Sequence, residues 1–306
     1  MKRRVALTLL AVLFVSAASG CACETGTEPF PTSGAVPSEP ATVPEESKAT
    51  EQPTEATTDV PTPEGLPPLP PDPQQVEFQA EDGQVLVGTY YPAVVNPAPL
   101  VVLMHWSRGN ESDWVAIAAW LQNRGREVEP GDTPWLMPGW FPPMLEGQSF
   151  AVFAFTFRGC EGACSSSLDR EGRLLDAKAA MRTAGELDGV DPQRLAAIGA
   201  SIGSDGAVDA CGEGCLGALS LSPGSYLTVD YAEAVAAVDG AGKPAWCLAA
   251  ERDQDSAQAC ESASGDHYRM EIYPGSDHGM QLIKPDAEPN TLELILEFLR
   301  LVFEIE

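Results

Sequence analysis

Six short apolar runs recur between residues 99 and 275, and each ends in glycine or a polar residue. They are "PLVVLMHW" (99–106), "SFAVFAFTFRG" (149–159), "RLAAIGAS" (194–201), "GALSLSPG" (217–224), "KPAWCLAAE" (243–251) and "YRMEIYPG" (268–275). The first two, with little polar alternation, fit buried strands, and the other four read as further strands. Stretches of helical character lie among them. "DWVAIAAWLQNRG" (113–125) places Trp114, Ile117, Ala118 and Leu121 at helical intervals, and Gly125 can end it. "DREGRLLDAKAAMRTAGEL" (169–187) is built from good helix formers, and "TLELILEFLRLVFEI" (291–305) is amphipathic. Strands alternating with helices predict βαβ units: an α/β fold with a mostly parallel twisted sheet and helices on both faces. A hairpin is expected ahead of it, where "VEFQAEDGQVLVGTYYPA" (76–93) alternates around Asp82-Gly83.

Ligands of such sheets bind outside the carboxyl ends of the strands. The polar residues at those ends are His105-Trp106-Ser107, Arg158-Gly159, Ser201, Ser222, Asp253 and His278. Gly199-Ala200-Ser201-Ile202-Gly203 is a G-x-S-x-G match at a strand end that opens a helix, the context a strained nucleophile turn requires. A serine hydroxyl needs a base. Of the three histidines, His278 follows the last strand and reaches the same edge as Ser201, whereas His267 precedes that strand. His105 reads as a structural residue. The base needs an acid. "LAAERDQDS" offers Glu251, Asp253 and Asp255, with Asp253 first and Asp255 second. A tetrahedral oxyanion needs preorganised donors, expected from the backbone N–H of Ile202 and from that of Ser107 or Trp106.

With these residues in place the chain resembles the α/β-hydrolases, closest to the dienelactone-hydrolase-like and esterase groups. "VVLMHWSRGNESDW" resembles the strand and oxyanion loop, "FTFRGCEG" a D-x-R-G-x-G segment, "VDPQRLAAIGASIGSDGA" the elbow, and "AAERD" and "SDHG" the acid and histidine loops. The resemblance covers about residues 76–306. It implies an α/β-hydrolase fold, a Ser201–His278–Asp253 triad, and an acyl-enzyme route without cofactor. Two positions depart from it. Trp106 stands where glycine is usual, and Phe157-Arg158 lacks the usual acid. About twenty residues separate the fourth and fifth runs, so no large cap domain is expected. The segment 126–147 is an insertion whose Trp135 and Trp140, with Trp106, would wall a substrate site or else pack as a surface loop. The expected substrate is a small-molecule ester. A peptidase or amidase on the same triad and a non-catalytic surface-binding protein are the alternatives.

The amino terminus reads as a targeting segment over 1–20, with "MKRR" followed by "VALTLLAVLFV". The apolar run is short for a membrane span. Ala18-Ser19-Gly20-Cys21 resembles a bacterial lipoprotein box, which would make Cys21 a lipidated first residue; ordinary cleavage near Cys21 or Cys23 is the alternative. Residues 21–75 are rich in Pro, Thr, Ser and Glu and are expected to form a disordered tether for a hydrolase domain over 76–306. An exported, lipid-anchored protein follows. Six further cysteines suggest disulfides, with Cys160–Cys164, Cys211–Cys215 and Cys247–Cys260 as the nearest-neighbour pairing among fifteen. Two C-x3-C pairs without adjacent histidine do not fit zinc, so no metal is expected. The net charge of −27 disfavours nucleic acid and anionic lipid, leaving contact with a membrane only through the anchor. Nothing in the sequence fixes the oligomeric state.

Overall fold

The computed structural model describes residues 66–128, 133, 135–165 and 169–305. Cys21, the targeting segment and most of the expected tether lie outside these residues. Eight strands form one sheet: β1 (Gln74–Gln79), β2 (Val85–Tyr91), β3 (Ala98–Met104), β4 (Ala151–Phe155), β5 (Val190–Ala200), β6 (Cys215–Leu221), β7 (Ala245–Ala250) and β8 (Tyr268–Tyr273). Their spatial order is β1-β2-β4-β3-β5-β6-β7-β8. The β1–β2 and β2–β4 pairs are antiparallel, and every pair from β4 to β8 is parallel. The expected hairpin and all six apolar runs are therefore present as strands. β5 starts earlier than its apolar run because Val190 pairs with Ala98 of β3.

The pleat divides the core in two. In β3, Leu100, Val102 and Met104 face one cluster while Val101 and Leu103 face the other. The first cluster is covered by α2 (Arg170–Glu186), α3 (Ile202–Asp209), α4 (Tyr231–Gly240) and α5 (Gln254–Ser262), and the second by α1 (Val115–Gln122) and α6 (Thr291–Phe303). Two of these helices are weak in the sequence. α4 is an alanine-rich segment capped by Asp230, whose side chain accepts from Ala232 N and Glu233 N. α5 starts within the acidic stretch after β7. The link from β6 to β7 holds α4 and loops only, so no large cap covers this edge.

Residues 66–73 were expected within the tether, yet part of this segment lies against the sheet domain. Leu66 N donates to Asn96 O, and Gln122 Nε2 donates to Pro71 O. The three disulfides are Cys160–Cys164, Cys211–Cys215 and Cys247–Cys260, the nearest-neighbour pairing.

One ionic cluster joins the hairpin to the parallel sheet. Arg158 follows β4, and its Nε and Nη2 donate to Asp176 Oδ1 of α2 at 2.9 and 2.7 Å, while its backbone N–H donates to Asp176 Oδ2 at 2.9 Å. Nη2 also reaches Asp82 Oδ1 in the hairpin turn at 3.0 Å. Asp176 is fully buried, so its charge is tolerable only while Arg158 compensates it. Arg158→Met is expected to lower stability by about 3 kcal/mol, a fall in thermal midpoint of roughly 6–12 °C for a domain of this size. A thermal melt of wild type and variant measures it.

Candidate active site

β5 ends in a turn that only small residues allow. A β-carbon at Gly199 would lie 1.9 Å from Gly203 O, and one at Gly203 would lie 2.2 Å from Met104 O. Ser201, between them, has φ +52° and ψ −118°, a strained conformation for a non-glycine residue. Its N–H donates to Leu221 O of β6 at 2.8 Å, which locks the turn to the neighbouring strand. Ser204 Oγ shares its one proton between Gly199 O and Leu221 O, at 2.9 and 2.6 Å. The turn thus projects the Ser201 side chain at the carboxyl edge of the sheet, at the amino end of α3.

The structure brings together the serine, histidine and acid expected from the sequence. His278 Nε2 lies 2.8 Å from Ser201 Oγ, and its Nδ1 lies 2.7 Å from Asp253 Oδ2. A carboxylate can only accept, so Nδ1–H donates to Asp253 while Nε2 faces the serine hydroxyl. Asp253 follows β7, where its N–H donates to Ala250 O at 3.0 Å, and it precedes α5. The Cys247–Cys260 bridge spans it. Asp255 lies in the first turn of α5, and Glu251 Oε1 accepts from Gly275 N at 3.4 Å. Asp253 is therefore the acid that meets His278.

The other histidines have different partners. His105 is fully buried, its Nδ1 donates to Trp106 O at 2.7 Å, and its Nε2 accepts from Phe157 N at 3.0 Å. Burial pushes its pKa down to about 4. His267 stands just before β8 with Nδ1 3.2 Å from Asp239 Oδ1.

Ile202 is the first residue of α3, where backbone N–H groups point out of the helix. Trp106 and Ser107 lie in the loop after β3. Trp106 is buried, and its Nε1 donates to Asp113 Oδ2 at 2.6 Å. Its Cε3 comes within 3.1 Å of where a β-carbon on Gly279 would stand, and Ser201 Cβ is 3.7 Å from the same point. The indole therefore borders the serine and the histidine loop. Ser107 O accepts from Cys164 N at 2.9 Å, so the Cys160–Cys164 loop supports this segment. The insertion touches both this segment and α1: Thr133 Oγ1 donates to Asp113 O at 3.4 Å. Trp140 Nε1 donates to Trp135 O, Trp140 packs on Phe141, Phe141 packs on Trp120 of α1, and Trp120 Nε1 donates to Pro142 O. These contacts seat the segment carrying Trp135 and Trp140 on α1.

Two neighbours of His278 had no role assigned from the sequence. The Tyr226 ring meets the imidazole edge-to-face at 6.3 Å, and Gln281 Oε1 accepts from His278 N at 3.2 Å. Buried Asp205 of α3 fixes the loop bearing Tyr226 by accepting from the N–H groups of Gly224, Tyr226 and Leu227. Burial raises its pKa to about 6 against those three donors. Among the described residues, no group of three or more His, Cys, Asp and Glu is placed to hold a metal ion.

No protein-family model matches the chain. Similar solved structures include the alpha/beta hydrolase GrgF from Penicillium sp. sh18, at TM-score 0.55 and 13% identity, covering 76% of this chain and 100% of that one. The chain has the α/β-hydrolase fold. The puromycin hydrolase structure matches at TM-score 0.52 and 16% identity over 77% of this chain and 40% of its own. The Pyrococcus furiosus esterase Pf2001 matches at TM-score 0.51 and 15% identity over 75% and 90%. In sequence, the chain is 29% identical over 151 residues to the uncharacterized protein YfhR of Escherichia coli K12, across 47% of this chain and 44% of that protein. YfhR of Salmonella typhi is 25% identical over 158 residues, across 50% and 45%. The chain thus spans about half the length of the curated relatives it matches.

The burial of His105 has a measurable consequence. Its folded-state pKa of about 4 lies below the ordinary value of 6.5, so the unfolded chain binds the proton first. The stability supported by the neutral ring is complete above pH 6.5 and is lost as pH falls toward 4. Ring-nitrogen NMR should find His105 neutral at pH 5.5. Melts should show that His105→Gln loses less stability than wild type between pH 6.5 and 4.

Proposed function

We propose that the protein is a serine hydrolase acting on small carboxylic esters. The observation that carries this reading is the continuous hydrogen-bonded line from Ser201 Oγ through His278 to Asp253, at 2.8 and 2.7 Å, with the serine held at positive φ. Hydrolases with the same fold among the similar solved structures support it.

In this reading Ser201 Oγ attacks the ester carbonyl carbon while His278 Nε2 takes its proton. Asp253 stabilises the imidazolium through Nδ1–H and keeps the ring oriented. The N–H of Ile202, with that of Trp106 or Ser107, faces the developing oxyanion. Collapse breaks the bond to the alkoxy oxygen, which leaves as the alcohol with the proton from His278. Water then attacks the acyl-enzyme, giving its proton to His278, and the second collapse returns that proton to Ser201 and frees the acid. Trp106, beside Ser201 and Gly279, forms one apolar wall for the substrate. The open edge above β6 and β7 suits small or medium acyl groups.

We also propose that the protein works outside the cytoplasm, anchored through Cys21. Three disulfides support an oxidising compartment. Among the described residues, no helix is long and apolar enough to cross a membrane.

A fluorophosphonate probe is expected to label wild type, and neither Ser201→Ala nor His278→Ala should be labelled. With p-nitrophenyl acetate, both variants should lose about 10⁴-fold or more in kcat, and Asp253→Asn a comparable factor. Folded wild type that neither takes the probe nor turns over the ester would rule the reading out.

A further inference from the structure

Ser222 sits directly after β6, at the same sheet edge as Ser201, and the mechanism above gives it no part. It is fully buried and has φ +59°. Pro223 follows it, and a residue before proline is steered toward extended backbone at negative φ. A glycine would adopt this conformation at lower cost, so a serine here needs a use for its hydroxyl. That use is visible. Ser222 Oγ accepts from the N–H of Gly279, the residue after His278, at 2.9 Å.

The anchor is itself rigid. Ser222 N donates to Leu248 O of β7 at 2.7 Å, and the preceding Leu221 O accepts from Ser201 N. The same few residues at the end of β6 therefore hold the nucleophile turn on one side and the histidine loop on the other. Atoms of Trp106, Ala200 and Ser201 lie 3.1, 3.7 and 3.7 Å from where a β-carbon on Gly279 would stand, so the residue bonded to the hydroxyl also borders the elbow. The His278 N–H is held separately by Gln281 Oε1.

We infer that Ser222 is a positioning residue that fixes the backbone of His278, so that the imidazole stays within reach of Ser201 and Asp253 together. This rests on the proposed role of His278 as base. Asp253 sets the rotation of the ring, whereas Ser222 sets where the ring is hinged. A serine–histidine pair displaced by about 1 Å loses up to about a hundredfold in rate while leaving substrate binding intact.

Two variants remove the hydroxyl. Ser222→Gly also relieves the backbone strain, and Ser222→Ala keeps it. The expected result with p-nitrophenyl acetate is a ten- to hundredfold lower kcat with KM within twofold, and no fall in the thermal midpoint of Ser222→Gly. The chain has only three histidines, so ring-nitrogen NMR can follow His278 without any substrate. Its Nδ1 and Nε2 signals should shift or broaden in both variants while those of His267 stay put. Should wild type prove inactive toward the ester and the fluorophosphonate, the hydrolase reading fails, but the NMR comparison still decides whether Ser222 holds His278. The inference is overturned by a folded variant with wild-type His278 signals and kcat within twofold. It is equally overturned if KM rises in place of a fall in kcat, or if neither variant folds, which would make Ser222 a folding residue.

Discussion

Where β5 turns into α3 there is no space for a β-carbon at Gly199 or Gly203, two residues before and after Ser201. The carbonyl of Gly203 closes on Gly199, and the carbonyl of Met104 closes on Gly203. That contact draws α3 tight against the ends of β5 and β3. It forces the intervening serine to positive φ and leaves its side chain projecting from the sheet edge. The neighbouring strand completes the constraint through the bond from Ser201 N to Leu221 O. The other site residues are placed relative to this turn. Asp253 and His278 follow β7 and β8, which lie beyond β6 in parallel register and so deliver their carboxyl-end loops to the same edge.

Much of this arrangement is legible in the sequence, for a physical reason. A strand buried on both faces must be apolar through its buried stretch, so β3, β4, β6, β7 and the second half of β5 stand out without an alternating pattern. The elbow is legible because its steric demand is written as two glycines flanking a serine. Asp253 and His278 follow from topology, since a parallel sheet gives all its strand ends one direction. Helices α4 and α5 are less visible. α4 contacts the core through Ala234, Val235 and Val238, with little periodic contrast, and α5 grows out of a stretch that reads as a solvated acidic loop. The contact between Ser222 and Gly279 joins residues 57 apart and depends on a backbone angle, and neither is encoded in local composition.

The disulfides illustrate how similar sequence features take on different structural roles. Cross-links closing four-residue loops remove little chain entropy, so Cys160–Cys164 and Cys211–Cys215 matter mainly through what they hold locally. The first stiffens a loop whose Cys164 N–H supports Ser107 O, next to the segment proposed to face the oxyanion. The second joins the end of α3 to the start of β6, the strand that grips Ser201. Cys247–Cys260 closes a longer loop and ties α5 to β7 on either side of Asp253. The first bridge lies beside the carboxyl edge, whereas the second braces the opposite, amino end of β6, where Cys215 pairs with Leu195.

His105 and His278 differ in the partners of their imidazoles, and the proposed role of His278 as base rests on that difference. Both stand at strand carboxyl ends. His105 is enclosed, and both its nitrogens are committed to the backbone, one donating to Trp106 O and one accepting from Phe157 N. No carboxylate is among these partners, and burial holds the ring neutral down to about pH 4. It is a bridge between the ends of β3 and β4. His278 keeps a side-chain partner on each nitrogen, the Asp253 carboxylate at Nδ1 and the Ser201 hydroxyl at Nε2. In the proposed mechanism only His278 acts as the base. What separates them is whether a positive charge, once formed, has a partner.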